Sequence, residues 1–283
     1  MTSPRRHAID RTSAAPADGS LPSPNRPLDV FHLLRTIVLL IPSIAIYTAV
    51  LGTLSLGSSL FESRGRLAHG CARLWSWLIL ATTGVRVHLA GLERLQPGRT
   101  YVFAANHQSI YDIPVIFASL PYQLRIVAKE SLGRFPFLGW HLRRTGHMLV
   151  DRRRPDRVRI LRWARTLPSL GLSLIVFPEG TRSRDGRLGP FKAGGFLLAL
   201  QAGLPIVPLS LVGSRLVMRK GELTTRPGEV TLVIHEPIES VAVAEPRPSE
   251  VRQFAARVRE VIRPAVEAEA DGAGRVKPDG VKA

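Results

Sequence analysis

Residues 101–112 read Tyr101-Val102-Phe103-Ala104-Ala105-Asn106-His107-Gln108-Ser109-Ile110-Tyr111-Asp112. Five apolar residues run straight into a polar turn, and an apolar stretch with helical texture, 111–119, follows. A strand that breaks into a helix at a polar turn is the unit from which layered α/β sheets are built, and such turns carry their active groups. His107 and Asp112 stand five positions apart. On one regular helix that offset turns their side chains ~140° away from each other. They meet only if His107 lies on the turn and Asp112 in the first turn of the helix. Such a pair has a clear use: the carboxylate fixes the imidazole tautomer, and the other ring nitrogen takes a proton from a hydroxyl.

Outward from this stretch, short β-like runs alternate with helical patterns. The strands expected are Val85–Ala90, Thr100–Ala105, Leu124–Ala128, His147–Val150, Ser173–Phe177, Ile206–Leu211 and Val230–His235. Helices are expected near 111–119, 155–169, 192–202 and 249–269. Pro155 opens the second of these, and Pro168 and Gly171 close it. The alternation predicts an α/β domain over 86–270 with a mixed, partly parallel sheet flanked by helices.

Upstream the texture differs. Residues 1–27 are rich in Pro, Ser, Ala and Arg and predict a disordered tail, as does the Gly-, Lys- and Asp-rich end, 271–283. No cleavage-site pattern marks a signal peptide. Thr36 to Leu60 carries no charge. A helix over that stretch is long enough for a bilayer core, at ~1.5 Å per residue. Arg35 precedes it and Arg64 and Arg66 follow, so flanking charge orients it only weakly, with the Arg-bearing tail favouring a cytoplasmic N-terminus. A second apolar stretch, 74–85, holds Trp75 and Trp77 and is too short to span. Residues 28–85 therefore read as a membrane-associated helical segment in one of two forms. Either 36–60 spans and 74–85 lies in the interface, or the two form a hairpin dipping into one leaflet. A core helix is the plain alternative for 74–85.

The net charge is +17, and five of the 39 basic residues are Lys. This favours an anionic partner, whether lipid headgroups, a phosphorylated substrate or nucleic acid. The basic residues are not interleaved with aromatics and form no nucleic-acid motif, so no nucleic-acid partner is expected. The single cysteine, Cys71, excludes an intrachain disulfide. No His pair has metal-ligand spacing with a carboxylate or thiol, and no metal is expected.

Three more strand ends concentrate polar groups. Phe177-Pro178-Glu179-Gly180-Thr181-Arg182-Ser183 joins a carboxylate, a glycine turn, two hydroxyls and an arginine suited to a phosphate. Val150-Asp151-Arg152 and Ala128-Lys129-Glu130 each place a base where a phosphate could sit. The latter leads into Phe135-Pro136-Phe137-Leu138-Gly139-Trp140, an apolar segment that reads as facing an acyl chain, a bilayer or the core.

Four blocks in this order, Asn106–Asp112, Gly146–Arg152, Phe177–Ser183 and Ile206–Leu211, make the chain resemble the glycerolipid acyltransferases, and within them the bacterial 1-acyl-glycerol-3-phosphate acyltransferases. The blocks cover most of 85–215. His147-Met148-Leu149-Val150 departs from the more β-branched and aromatic pattern usual before the second-block arginine. The resemblance implies His107 as general base and Asp112 as its orienting partner. It implies Arg152, Glu179, Gly180, Thr181 and Arg182 around a phosphorylated acceptor, with Lys129 adding charge, and Val207 and Pro208 on the acyl-donor side. It also implies no cofactor, an acyl-CoA or acyl carrier protein thioester as donor, a lysophospholipid acceptor, and an inner-membrane enzyme facing the cytoplasm. Other acceptors of the same chemistry are lyso-ornithine lipid, another lysophospholipid and glycerol 3-phosphate. A non-catalytic membrane protein is the rival of another class.

Overall fold

The computed structural model describes residues 27–58, 61–62, 65–151, 154 and 156–271. Most of the expected N-terminal tail, the C-terminal tail beyond Asp271, and Arg152 lie outside the described residues.

The chain begins with α1 (Pro27–Arg35), one π-helical turn (Thr36–Leu40) and α2 (Ile41–Ser58). Then come α3 (Arg66–Thr83), β1 (Val85–Ala90), β2 (Val102–Ala105), α4 (Asp112–Ser119) and β3 (Leu124–Lys129). Next are α5 (Leu138–Arg144), β4 (Met148–Val150), α6 (Arg157–Ala164), β5 (Ser173–Val176) and α7 (Gly194–Ala202). The domain closes with β6 (Ile206–Val212), α8 (Ser214–Val217), β7 (Gly228–Ile234) and α9 (Pro248–Ala270).

The seven strands form one sheet in the order β1-β7-β6-β2-β5-β3-β4. Every pairing is parallel except β6 with β7, so the sheet is mixed and mostly parallel. Strands covered on both faces need not alternate. Accordingly β2, β5 and β6 are buried at every position. One face packs Phe103, Ile175, Val207 and Leu209 under Ile79, Leu80, Val115 and Ile116 of α3 and α4. The other packs Val102, Leu174 and Ile206 against Ala164, Phe196, Val258 and Ile262 of α6, α7 and α9.

The stretch 74–85 is not an element of its own. It is the second half of the longer helix α3, ended by Gly84 at φ 80°, and Val85 already starts β1. Its two faces explain the mixed reading: Ile79 and Leu80 are core, while Leu74 and Trp77 are exposed. Pro155 lies outside the described residues, and 156–169 is not one helix. Asp156 accepts from the Arg159 N–H to cap α6, which ends at Ala164, and a 3-10 turn takes Pro168–Leu170.

The apolar helix starts earlier than its uncharged core suggests. Asp29–Ser58 is one run of 30 residues, long and apolar enough to cross a membrane, with 17% of its most apolar window buried. Val30, Phe31, Val38, Ile46, Val50 and Leu54 face outward. Yet the run is tied to the domain throughout. At its start, Arg35 donates to the carbonyls of Thr82 and Thr83 at the end of α3, and Asp29 pairs with Arg226. Midway, Tyr47 bonds Thr82 and Thr48 accepts from the Trp75 indole. Near its end, Ser55 bonds His141 of α5. A Cβ on Gly52 would meet the Cβ of Phe137 at 2.8 Å, so α2 and α5 approach closely only because position 52 has no side chain.

Candidate active site

The polar turn after β2 is held from three sides. The Asn106 amide donates to the Leu211 carbonyl and accepts from the Leu211 N–H, clamping the turn to the end of β6. The Ser109 hydroxyl donates to the Met218 carbonyl. Asp112, as the first residue of α4, accepts from the backbone N–H of Gln108 and Ser109 through one carboxylate oxygen. An acidic side chain is stable there, beside the free N–H groups of a helix start.

That same oxygen lies 2.7 Å from His107 Nδ1. His107 sits on the turn and Asp112 in the first helical turn, the one arrangement in which this spacing lets them meet. Asp112 is fully buried, whereas the His107 side chain is 16% exposed. A carboxylate is an acceptor only, so Nδ1 carries the proton and Nε2 is left with its lone pair. The ring stacks on Phe177, with centroids 4.1 Å apart.

Glu179 joins this pair from behind. One carboxylate oxygen accepts the His107 backbone N–H at 2.7 Å, and the other accepts from the Gly189 N–H at 3.0 Å. Burial pushes its carboxyl above the usual range, against the downward pull of these two bonds. The loop returns a bond from the Ser183 N–H to the His107 carbonyl, so 106–109 and 177–183 are laced together. Gly180 (φ 73°) makes the turn that allows it.

Two bases beyond the expected ones frame this loop. Lys220 Nζ donates to the Thr181 hydroxyl and the Arg182 carbonyl, and Lys192 lies across Gly180. Arg182 itself is half-buried, and Thr181 is exposed. Lys129 is exposed at the end of β3, two strands away from β2. Val207 and Pro208 are buried in β6, paired with Phe103 and Ala104. The apolar space lies elsewhere. A cavity of about 190 Å³ runs between Gly52 of α2, Cys71 and Trp75 of α3, Ile110 and Ile113 beside the turn, and Phe137 of α5.

Lys192 and Lys220 escape a motif reading because both lie outside the blocks. Three of the five lysines, 129, 192 and 220, lie at strand or loop ends where an anion would approach. Gln108 and Glu269 are the other residues that reasoning from blocks passes over. Gln108 donates to the Gly186 carbonyl, and Glu269, at the end of α9, accepts the Gly213 N–H. Among the described residues no group of His, Cys, Asp and Glu could hold a metal ion.

A family model described as Acyltransferase matches residues 86–212. A 1-acyl-sn-glycerol-3-phosphate acyltransferase of Chlamydomonas reinhardtii is 33% identical over 237 residues, 81% of this chain and 70% of its own length. The chloroplastic LPAT1 of Arabidopsis thaliana, of the same description, is 33% identical over 236 residues, 81% of this chain and 65% of its own. The crystal structure of the 1-acyl-sn-glycerophosphate acyltransferase PlsC from Thermotoga maritima superposes with a TM-score of 0.70 at 28% identity. It covers 85% of this chain and 97% of that one.

Proposed function

The chain belongs to the glycerolipid acyltransferase family and is an O-acyltransferase, and on that footing we propose that it moves a fatty-acyl group from a thioester to the sn-2 hydroxyl of 1-acyl-sn-glycerol 3-phosphate, giving phosphatidic acid. The observation that carries this reading is the His107–Asp112 pair, set between a basic loop and an apolar cavity.

An alcohol is a weak nucleophile at neutral pH. Nε2 of His107 takes the hydroxyl proton as the oxygen attacks the thioester carbonyl, and Asp112 stabilises the imidazolium that forms. The tetrahedral intermediate then collapses, the C–S bond breaks, and the imidazolium returns its proton to the departing thiolate. A positioned base of this kind supplies roughly 10²–10⁴-fold. Arg182, Lys192 and Lys220 supply the positive field for the acceptor's phosphate, with Thr181 at its edge and Lys129 further out. Arg152 belongs to this set by the family pattern. Glu179, with both oxygens on backbone N–H groups, is a positioning residue for His107 and not a phosphate contact. The apolar cavity, rather than Val207 and Pro208, accommodates the acyl chain. The donor is an acyl-CoA or acyl carrier protein thioester.

The attachment of the apolar run at its start, middle and end favours lying within one leaflet over crossing the bilayer. A helix whose two ends both touch one polar domain cannot deliver them to opposite faces of a ~30 Å hydrocarbon layer. The membrane is the inner membrane, and the active site faces the cytoplasm, where acyl thioesters are made.

The test offers labelled acyl-CoA or acyl carrier protein thioester with 1-acyl-sn-glycerol 3-phosphate to purified full-length protein in detergent. Wild type is expected to form phosphatidic acid and folded His107→Ala to form almost none. Acylation of lyso-ornithine lipid or glycerol 3-phosphate instead would move the acceptor assignment, and an active His107→Ala would remove the base.

A further inference from the structure

Arg125 is the second residue of β3, and its side chain is 2% exposed. A buried guanidinium is expected to face a carboxylate. Among the described residues this one forms no ion pair. Nη1 donates to the Leu124 carbonyl, Nε has no partner, and Nη2 lies against Gly65 at the start of α3. Burial pulls the guanidinium down to about 10, with no neighbouring acid to hold it up. Its charge also depresses the three nearby imidazoles, His69, His141 and His147. So uncompensated positive charge sits here beside the first N–H groups of an 18-residue helix.

The guanidinium lines a groove of about 730 Å³. Its lining is mixed, with Arg125 and Thr166 among the polar residues and Trp163, Leu167 and Leu170 among the apolar ones. Glu62 lies at the rim, but its carboxylate is engaged by Arg66 and by the Leu67 N–H, where it caps α3. The groove opens at the N-terminal ends of β3, β4 and β5, beside Gly146 and Leu172. His107 follows the C-terminal end of β2, so in a parallel sheet the two lie at opposite rims.

We propose that this groove is a second anion site, separate from the catalytic one. It takes a phosphate group on Arg125 and the start of α3, carried by an anionic phospholipid whose apolar part lies along Trp163 and Leu170. Glu62 and Gly65 place the groove beside the exposed Phe61, an apolar side chain suited to a bilayer surface that would supply such a lipid.

The experiment is a set of thermal melts of the full chain in neutral detergent at constant ionic strength. Inorganic phosphate is the first probe, and phosphatidylglycerol mixed into the micelles is the second. Wild type, His107→Ala, Arg125→Leu and Ser169→Glu are compared. Ser169 is an exposed groove residue whose hydroxyl donates to the Thr166 carbonyl, so the glutamate adds negative charge without disturbing the core. Phosphatidylglycerol is expected to raise Tm by about 5 °C in wild type and in His107→Ala. Ser169→Glu and Arg125→Leu lose that rise. Arg125→Leu without ligand melts at or above wild type, because removing an unpaired buried charge relieves the fold. A rise with both phosphatidylglycerol and phosphate still supports the site and makes the phosphate group the recognised element. A rise with phosphate alone overturns the lipid as its source. No rise in wild type, or a rise that survives in Ser169→Glu, overturns the site itself. Ser169→Glu decides this even where Arg125→Leu fails to fold.

Discussion

His107 and Glu179 are 72 residues apart in sequence and joined by one hydrogen bond of 2.7 Å from backbone to carboxylate. That bond decides what their substitutions do. His107→Ala removes the base, and turnover is expected to fall ~10²–10⁴-fold with folding intact. Asp112→Asn leaves a group that can hold Nδ1 without requiring it to be protonated, so kcat falls while KM for the acceptor stays near wild type. Glu179→Gln replaces one of two acceptors with a donor facing a backbone N–H. It is expected to lower kcat by about tenfold or more and to lower Tm, since a buried N–H then loses its partner. A role in binding phosphate would instead raise the acceptor KM with kcat unchanged, so steady-state kinetics on the three variants separates positioning from contact.

At the scale of elements, the strands were legible because both faces of this sheet are covered: apolar runs such as Leu174–Val176 and Ile206–Leu211 have only one place to go. The His107–Asp112 geometry was legible too, because five residues across a strand-to-helix turn leave a single way to meet. Three things were not. The α5 helix hides in a short segment whose first turn follows Phe137, a non-glycine residue at φ 58°. Lys192 and Lys220 reach the site from loops that carry no pattern of their own. The apolar cavity arises where α2, α3 and α5 converge, and no single segment encodes that meeting. Two predictions belong to this scale. Ile113→Phe fills the cavity next to the turn and is expected to shift preference toward shorter acyl donors, read from rates across a chain-length series. Gly52→Val forces α2 off Phe137, and it is expected to lower Tm and to broaden that preference.

For the whole molecule, four histidines among the described residues, His69 and His147 buried and His141 and His235 half-buried, set the response to acid. Burial, then the Arg125 charge, lowers His69 and His141 to about 4; burial, then Arg94, does the same for His235. His147 is depressed for the same reasons as the first two. A base depressed on folding stabilises the native state above its unfolded value near 6.5 and loses that contribution as pH falls towards the folded value. Tm is therefore expected to drop between pH 7 and pH 5, by up to about 2 kcal/mol of stability for each histidine at pH 5. His235→Gln, which keeps a neutral polar group beside Ser210, should flatten the profile. The outward face of α1 and α2 sets the response to membranes: Val38→Glu with Val50→Glu is expected to shift the protein from the pelleted membrane to the supernatant. The ties at Arg35, Tyr47 and Ser55 carry one more consequence. Seated in a single leaflet, as proposed, the enzyme would draw its acceptor from that monolayer and return a two-tailed product to it. Lipid would then accumulate on one side of the bilayer, and even growth of the membrane would depend on some other agent carrying half of it across.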